Sequence, residues 1–418
     1  MLLLYFTFAC FGIIHQSSAQ TQQIPGFSQV LKETFYTFIR FFNVDPEIYM
    51  GANELITSKG YPCEDHKVIT EDGYILTMQR IPHGRNTNSS TARRPVVVLQ
   101  HGLLGSSTNY LDNLSNESLA YILADAGADV WLSNSRGNMY SRAHVHLKPS
   151  EEAFWDWSFD EMAKYDLPAV VDYVTSTTQT DKVTYIGHSQ GTMIGFAGFS
   201  ENQTLSEKIE LFVALAPVAR VRHIESPIRL FAPFAYELEF LFELFGKGEF
   251  LSNGEVERFL AKDVCTHVSG ICENVLFLLG GFNLHNLNES RIPVYVAHNP
   301  AGTSAKNMVH FAQGVRSETF QKFDYRSAAE NIIHYGQPTP PVYHPENMTT
   351  PVALFRGDND ILADPVDVAW LLPKLKHMVL DKDIPQWDHI DFIFGLDAPT
   401  VCYTVIHDLI FHKNSSVY

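Results

Sequence analysis

No Asp, Glu, Lys or Arg occurs before Lys32. Leu2 to Ile14 is almost purely apolar, and the small residues Ser17-Ser18-Ala19 follow. That run is too short to span a bilayer comfortably, and the small residues suit a cleavage site, so residues 1–19 read as a secretory signal peptide. No second long apolar run appears, so no transmembrane segment is expected. Low-complexity tracts and fixed-period repeats are also missing, which leaves an ordinary globular composition with 45% apolar and 18% charged residues. Basic residues are in deficit: 30 Lys and Arg against 47 Asp and Glu give a formal charge of −17. A surface that acidic argues against nucleic acid and strongly anionic membranes as partners. It names no substrate.

Cysteine is scarce as well. After removal of the signal, Cys63, Cys265, Cys272 and Cys402 remain. Cys265 and Cys272 are near enough in sequence to staple one small loop. Seven Asn-x-Ser/Thr sequons, at Asn88, Asn113, Asn116, Asn202, Asn288, Asn347 and Asn414, suit a glycoprotein made in the secretory pathway. The expected location is therefore secreted or lysosomal.

What is present is a rhythm of short apolar runs ending in turn residues. Pro95-Val96-Val97-Val98-Leu99-Gln100 runs into His101-Gly102, Ala128 to Leu132 into Asn134-Ser135-Arg136-Gly137, and Lys182 to Ile186 into Gly187. Leu211 to Leu215, Val352 to Phe355 and Met378 to Leu380 come later. Continuous rather than alternating hydrophobicity predicts strands covered on both faces. Helical patterns between them predict a mostly parallel sheet of the α/β class. Ser158 and Glu161 have capping-box spacing ahead of Phe159, Met162, Val170 and Val174, with Pro168 placed to bend that helix. Glu71-Asp72-Gly73 between Val68-Ile69-Thr70 and Tyr74-Ile75-Leu76 predicts an antiparallel hairpin at the sheet edge.

Between about residue 220 and 345 the strand rhythm stops. Phe231, Phe234, Phe240, Phe242, Phe245 and Phe250 crowd one stretch, interrupted by Glu237, Glu239 and Glu243. The charges exclude a membrane span. The stretch reads as an inserted, mainly helical subdomain whose aromatics fill its own core or line an apolar pocket. The division is then 20–219 and 345–418 for the core and 220–344 for a cap.

Gly187-His188-Ser189-Gln190-Gly191 carries the chemistry. It matches G-x-S-x-G directly after a predicted strand and before a small, apolar helical run. A sharp strand-to-helix turn lifts the serine hydroxyl clear of the backbone, and glycines two positions away relieve the crowding. A serine hydroxyl needs a positioned base, and on this kind of scaffold the acid and then the histidine come later in the chain. Asp358, Asp360 and Asp364 compete for the acid, and His377, His389, His407 and His412 for the base. Local reasoning does not choose among them. His101-Gly102-Leu103-Leu104-Gly105 is the candidate oxyanion loop, with the Gln190 N–H as second donor. His144 and His146 form a His-x-His pair without a third ligand, so no metal site is expected.

The stretches YPCEDHKVITEDGYIL, LQHGLLGSSTNY, ILADAGADVWLSNSRGN, FWDWSFDEMAKYDLPAVVDYV, GHSQGTMIGFAGFS, HNPAGTS, LADPVDV and DHIDFIFGLDAP resemble the acid lipase family of α/β hydrolases, across nearly the whole mature chain. The resemblance implies the α/β-hydrolase fold with an inserted helical cap and a mobile lid around 250–280. It implies Ser189 as nucleophile, His389 as base and Asp360 as the acid that orients it. Leu103 and Gln190 become the oxyanion donors, and Cys265 and Cys272 fall where the family has a bridged pair. The activity implied is hydrolysis of carboxylic esters of neutral lipids, triacylglycerol or steryl ester, at a lipid–water interface without metal or organic cofactor. A peptidase or lyase-like enzyme on the same fold, or a non-catalytic lipid-binding or storage protein, are the alternatives. Loss of a triad residue would mark the latter, and none is lost.

Overall fold

The computed structural model describes residues 45–86, 93–226, 229, 248–250, 281 and 283–412. The proposed signal peptide, the sequons Asn88 and Asn414, Cys265, Cys272, the lid and all the clustered phenylalanines except Phe250 lie outside the described residues. The strands and helices below all belong to one compact unit, Glu47–Tyr418, apart from the first residue of a short 3₁₀ turn at Pro46–Tyr49.

The strands are β1 (Glu64–Ile69), β2 (Ile75–Ile81), β3 (Val96–Gln100), β4 (Asp129–Leu132), β5 (Val183–His188), β6 (Ile209–Leu215), β7 (Glu249–Phe250), β8 (Thr303–Ser304), β9 (Val352–Gly357) and β10 (Met378–Ile384). Eight form one sheet in the order β1-β2-β4-β3-β5-β6-β9-β10. Each neighbouring pair from β4 to β10 is parallel, while β1–β2 and β2–β4 are antiparallel. The hairpin at Asp72-Gly73 therefore supplies the edge, as its turn residues predict. Every residue of β3, β4 and β5 is buried, which is why those strands read as unbroken apolar runs.

The helix after Ser158 begins with the predicted capping box. The Ser158 N–H donates to Glu161 Oε2 at 2.7 Å, and Ser158 Oγ accepts from the Asp160 N–H at 3.2 Å. Pro168 lacks a backbone donor and cannot continue the i→i−4 ladder, and it falls in the first turn of the resumed helix, where that donor is not needed. A π-helical turn, Met162–Asp166, precedes it, and the helix resumes as Leu167–Thr178.

The segment between β6 and β9 is an insertion, since those two strands pair directly. Its described part holds the helices Ile292–His298, Ala305–Arg316 and Ala328–Tyr335 and the small β7–β8 pair. Among the described residues no helix is long and apolar enough to cross a membrane.

One expectation needs correction. Asn113 is buried, its amide nitrogen donates to the Phe394 carbonyl at 3.2 Å, and its amide oxygen accepts from the Tyr295 hydroxyl. The folded chain has no room for a glycan there, because a sequon pattern is blind to burial. Asn116, Asn202 and Asn347 are exposed and Asn288 is half-buried. Cys63 and Cys402 are both free thiols. Burial, then Asp65 and Glu64, push the Cys63 thiol up to about 12, and burial raises Cys402 as well. Neither is a reactive thiolate.

The glycines flanking Ser189 are dictated by contact. A Cβ on Gly191 would lie 2.5 Å from the Gln100 carbonyl oxygen and 2.9 Å from that of His101. One on Gly187 would lie 2.7 Å from the Gly191 carbonyl. Backbone cannot yield as a side chain can. Gly191→Ala is expected to destabilise the protein by about 1–3 kcal/mol, read as a lower midpoint of thermal unfolding; an unchanged midpoint would refute the packing argument.

Candidate active site

The register aligns the carboxyl ends of the central strands. Gln100 of β3 faces Gly187 of β5, His188 faces Leu215 of β6, and Leu215 faces Phe355 of β9. Loops leaving that edge converge, as expected at the carboxyl end of an open parallel sheet.

Ser189 leaves β5 at φ 54° and ψ −119°, and the helix Gln190–Glu201 starts at the next residue. Positive φ is costly for a serine. It is held by continuation of the sheet ladder, the Ser189 N–H donating to the Leu215 carbonyl at 3.0 Å. Gln190 opens the helix, so its N–H belongs to the first turn and has no intrahelical acceptor.

The loop after β3 presses on this bend. A Cβ on Gly102 would approach Ser189 Cβ to 2.9 Å and His188 Nδ1 to 3.2 Å, so only glycine lets the loop come so close. His101 is buried beneath it. Its Nδ1 donates to the Gly102 carbonyl at 2.8 Å, and its Nε2 accepts from the Ser135 N–H at 3.0 Å. Those bonds fix a neutral tautomer, and burial pushes the ring down to about 4. Leu103 is half-buried, and Leu104 has φ 59°.

The aspartates now separate. Asp358 is exposed and accepts from the Gln386 N–H at 2.5 Å, bracing the loop after β10. Asp364 caps the helix Pro365–Leu371, accepting from the Val366 N–H at 2.8 Å. Asp360 alone meets a candidate histidine: its carboxylate lies 2.9 and 3.0 Å from His389 Nδ1. The Leu362 and Ala363 N–H groups donate to it at 2.8 and 2.7 Å. His377 is exposed, and His407 and His412 pair with Asp408 on the last helix. His144, of the His-x-His pair, spends one ring nitrogen on the His146 and Leu147 N–H groups and the other on the Asp72 carbonyl.

His389 packs against the bend through the residue beside Ser189. The His188 Nε2 donates to the His389 carbonyl at 2.9 Å, and the two rings lie 5.0 Å apart. Burial, then His389, push His188 down to about 3. His389 Nε2 is buried with no hydrogen-bond partner, so the expected bond to the Ser189 hydroxyl is not formed in this conformation. Such bonds are often loose without substrate and tighten in the complex.

Sequence reasoning missed what the insertion contributes. The Ala301 N–H donates to the Leu104 carbonyl at 2.6 Å, and Asn109 Nδ2 donates to Asn299 Oδ1 at 2.6 Å. Asn307 Oδ1 accepts from the Gln190 side chain at 3.1 Å and from the Phe159 N–H at 2.9 Å. HNPAGTS was visible as a motif, but no local signal tied it to the loop after β3.

A strained serine after one parallel strand, an aspartate after a later one and a histidine after the last is the chain order of an α/β hydrolase. A model of the alpha/beta hydrolase fold matches residues 95–396, and one of a partial alpha/beta-hydrolase lipase region matches 52–114. Gastric triacylglycerol lipase of Rattus norvegicus is 51% identical over 362 residues, 86% of this chain and 91% of that protein. Lysosomal acid lipase/cholesteryl ester hydrolase of Homo sapiens is 48% identical over 368 residues, 88% of this chain and 92% of that one. The chain belongs to the acid lipase family of α/β hydrolases. A crystal structure of a membrane phospholipase A shares the fold at 12% identity and a TM-score of 0.50, over 99% of this chain and 100% of that one.

Both buried rings titrate below the free imidazole value of about 6.5. As pH falls from there, the unfolded chain takes up protons that the folded chain refuses. The stability these rings contribute is complete above about 6.5 and declines as pH falls through 4 and 3. Nitrogen NMR of imidazole-labelled protein at pH 5 is expected to show His101 and His188 neutral; a protonated His101 would contradict the packing.

Proposed function

We propose that this chain is a serine lipase that hydrolyses carboxylic esters of neutral lipids, triacylglycerol or steryl ester, through an acyl-enzyme. The observation that carries the reading is the buried Asp360–His389 pair, its Nε2 unbonded and its backbone tied to the residue beside Ser189. His389 Nε2 takes the Ser189 proton as the hydroxyl attacks the ester carbonyl. Asp360 holds the ring through Nδ1–H and stabilises the imidazolium that forms. The Leu103 and Gln190 N–H groups receive the developing oxyanion. The protonated ring then gives its proton to the departing alcohol. Water activated by the same nitrogen releases the fatty acid and restores the serine. The residues that supply nucleophile, base and oxyanion donors complete this cycle without drawing on a cofactor.

Neutral lipid follows from the relatives' substrates and from the phenylalanine-rich insertion. The secretory route follows from the apolar N-terminus and the exposed sequons Asn116, Asn202 and Asn347. Cap boundaries near 220 and 344 and a Cys265–Cys272 bridge complete the reading.

Ser189→Ala is expected to abolish hydrolysis of triacylglycerol and cholesteryl ester and to abolish labelling by an organophosphate probe, with the fold intact. Asp360→Asn is expected to lower kcat about 10⁴-fold, because Nδ1 loses its acceptor and the ring its tautomer. Probe labelling that persists in Ser189→Ala, or faster turnover of peptides than of long-chain esters, would overturn the assignment.

A further inference from the structure

His389 sits in a turn closed by two carboxylates. Asp388 Oδ1 accepts from the Ile390 and Asp391 N–H groups at 3.1 and 3.3 Å, and Asp391 Oδ2 accepts from the Asp388 N–H at 2.7 Å. The bonds are reciprocal across three residues, as in a capping box, with His389 between them. The short helix Asp391–Phe394 comes next.

The insertion grips this turn. Gly281, at φ 117°, lies so close that a Cβ would come 2.6 Å from Asp388 Cβ. The Asn283 N–H donates to Asp388 Oδ2 at 2.9 Å, and Asn283 Nδ2 donates to Asp391 Oδ2 at 2.8 Å. Asn286 Nδ2 donates to Asp391 Oδ1 at 2.9 Å, while its Oδ1 accepts from the Asp397 N–H at 3.2 Å and its carbonyl from the Leu396 N–H at 2.7 Å.

This arrangement is a poor device for stability. Burial, then Asp388, push Asp391 up to about 7, and burial raises Asp388 too. Two adjacent buried carboxylates repel, and their bonding partners here are neutral amides. What the cluster does deliver is direction. The Asp388 N–H is pinned by Asp391, the His389 carbonyl by His188 and the ring by Asp360.

We propose that Asn283 and Asn286 of the insertion, acting through the Asp388–Asp391 turn, are positioning residues for His389. The insertion is then part of the catalytic geometry as well as a cover. The proposal rests on His389 being the base, which the Ser189 and His389 alanine variants test separately.

The test is steady-state hydrolysis of a short, water-soluble ester by the full mature chain, alongside thermal unfolding. Asn286→Asp sets a third carboxylate against Asp391 and is expected to lower kcat about 10- to 100-fold with KM nearly unchanged, the scale set by a small misplacement of a reacting group. The double variant Asn286→Asp with Asp391→Asn exchanges amide and carboxylate. The amide at 391 donates where Oδ1 accepted, and its oxygen still accepts from Asp388 and Asn283. Recovery of kcat in the double variant supports the proposal. A lower unfolding midpoint with unchanged kcat in Asn286→Asp would overturn it, as would a double variant no faster than the single. If His389→Ala kept full activity, the base assignment would fall instead, and the positioning role with it.

Discussion

The backbone of Ser189, at φ 54° and ψ −119°, is the constraint on which the other features depend. A serine does not adopt that conformation for its own sake. It is imposed by β5, whose ladder carries through the Ser189 N–H to Leu215, and by a helix that begins one residue later. The bend survives only if nothing crowds it. Gly187, Gly191 and Gly102 each stand where a Cβ would strike backbone or the serine itself. The close approach they permit brings the loop after β3 within reach of the hydroxyl and puts His188 against His389.

Among the described residues, the insertion meets the elements of the candidate site through asparagine at the loop after β3, at Gln190 and at the turn around His389. Asn299 holds the loop after β3 by way of Asn109, Asn307 holds Gln190, and Asn286 holds the turn around His389. Asparagine suits this work because one end donates and the other accepts without a charge to desolvate. Asn307 and Asn286 each use both ends. A segment that in sequence only interrupts the strand rhythm is thus tied into the geometry of the core.

Legibility in the sequence tracks the range of the interactions. The buried strands were visible because both faces are covered, the hairpin because Asp72-Gly73 makes the turn, and the helix start because Ser158 and Glu161 bond locally. GHSQG was visible because the bend needs its glycines within two positions. The candidate acid was not legible locally: Asp358, Asp360 and Asp364 all sit in one loop with backbone partners. Only the arrival of His389 distinguishes them, and the family resemblance supplied that. Asn286 and Asn307 left no local trace, since their partners Asp391 and Gln190 are over a hundred positions away. Burial of Asn113 was likewise set by Tyr295 and Phe394, far along the chain.

Burial drives the ionisable groups around this site toward neutrality, and imidazoles and carboxylates respond to pH in opposite senses. His101, His188 and His310 are pushed below the free value, so acid favours the unfolded chain as pH falls from about 6.5. Asp160 and Asp391 are pushed up to about 6 and 7, so in the same range the folded chain binds protons the unfolded chain does not, and acid favours the fold. The two sets overlap between roughly pH 4 and 6.5 and offset one another there. Above that window the carboxylate contribution fades while the imidazole contribution is complete. Below it the imidazoles must charge with no carboxylate left to compensate. A core that mixes both kinds of buried group is therefore less sensitive to mild acid than one built from either alone.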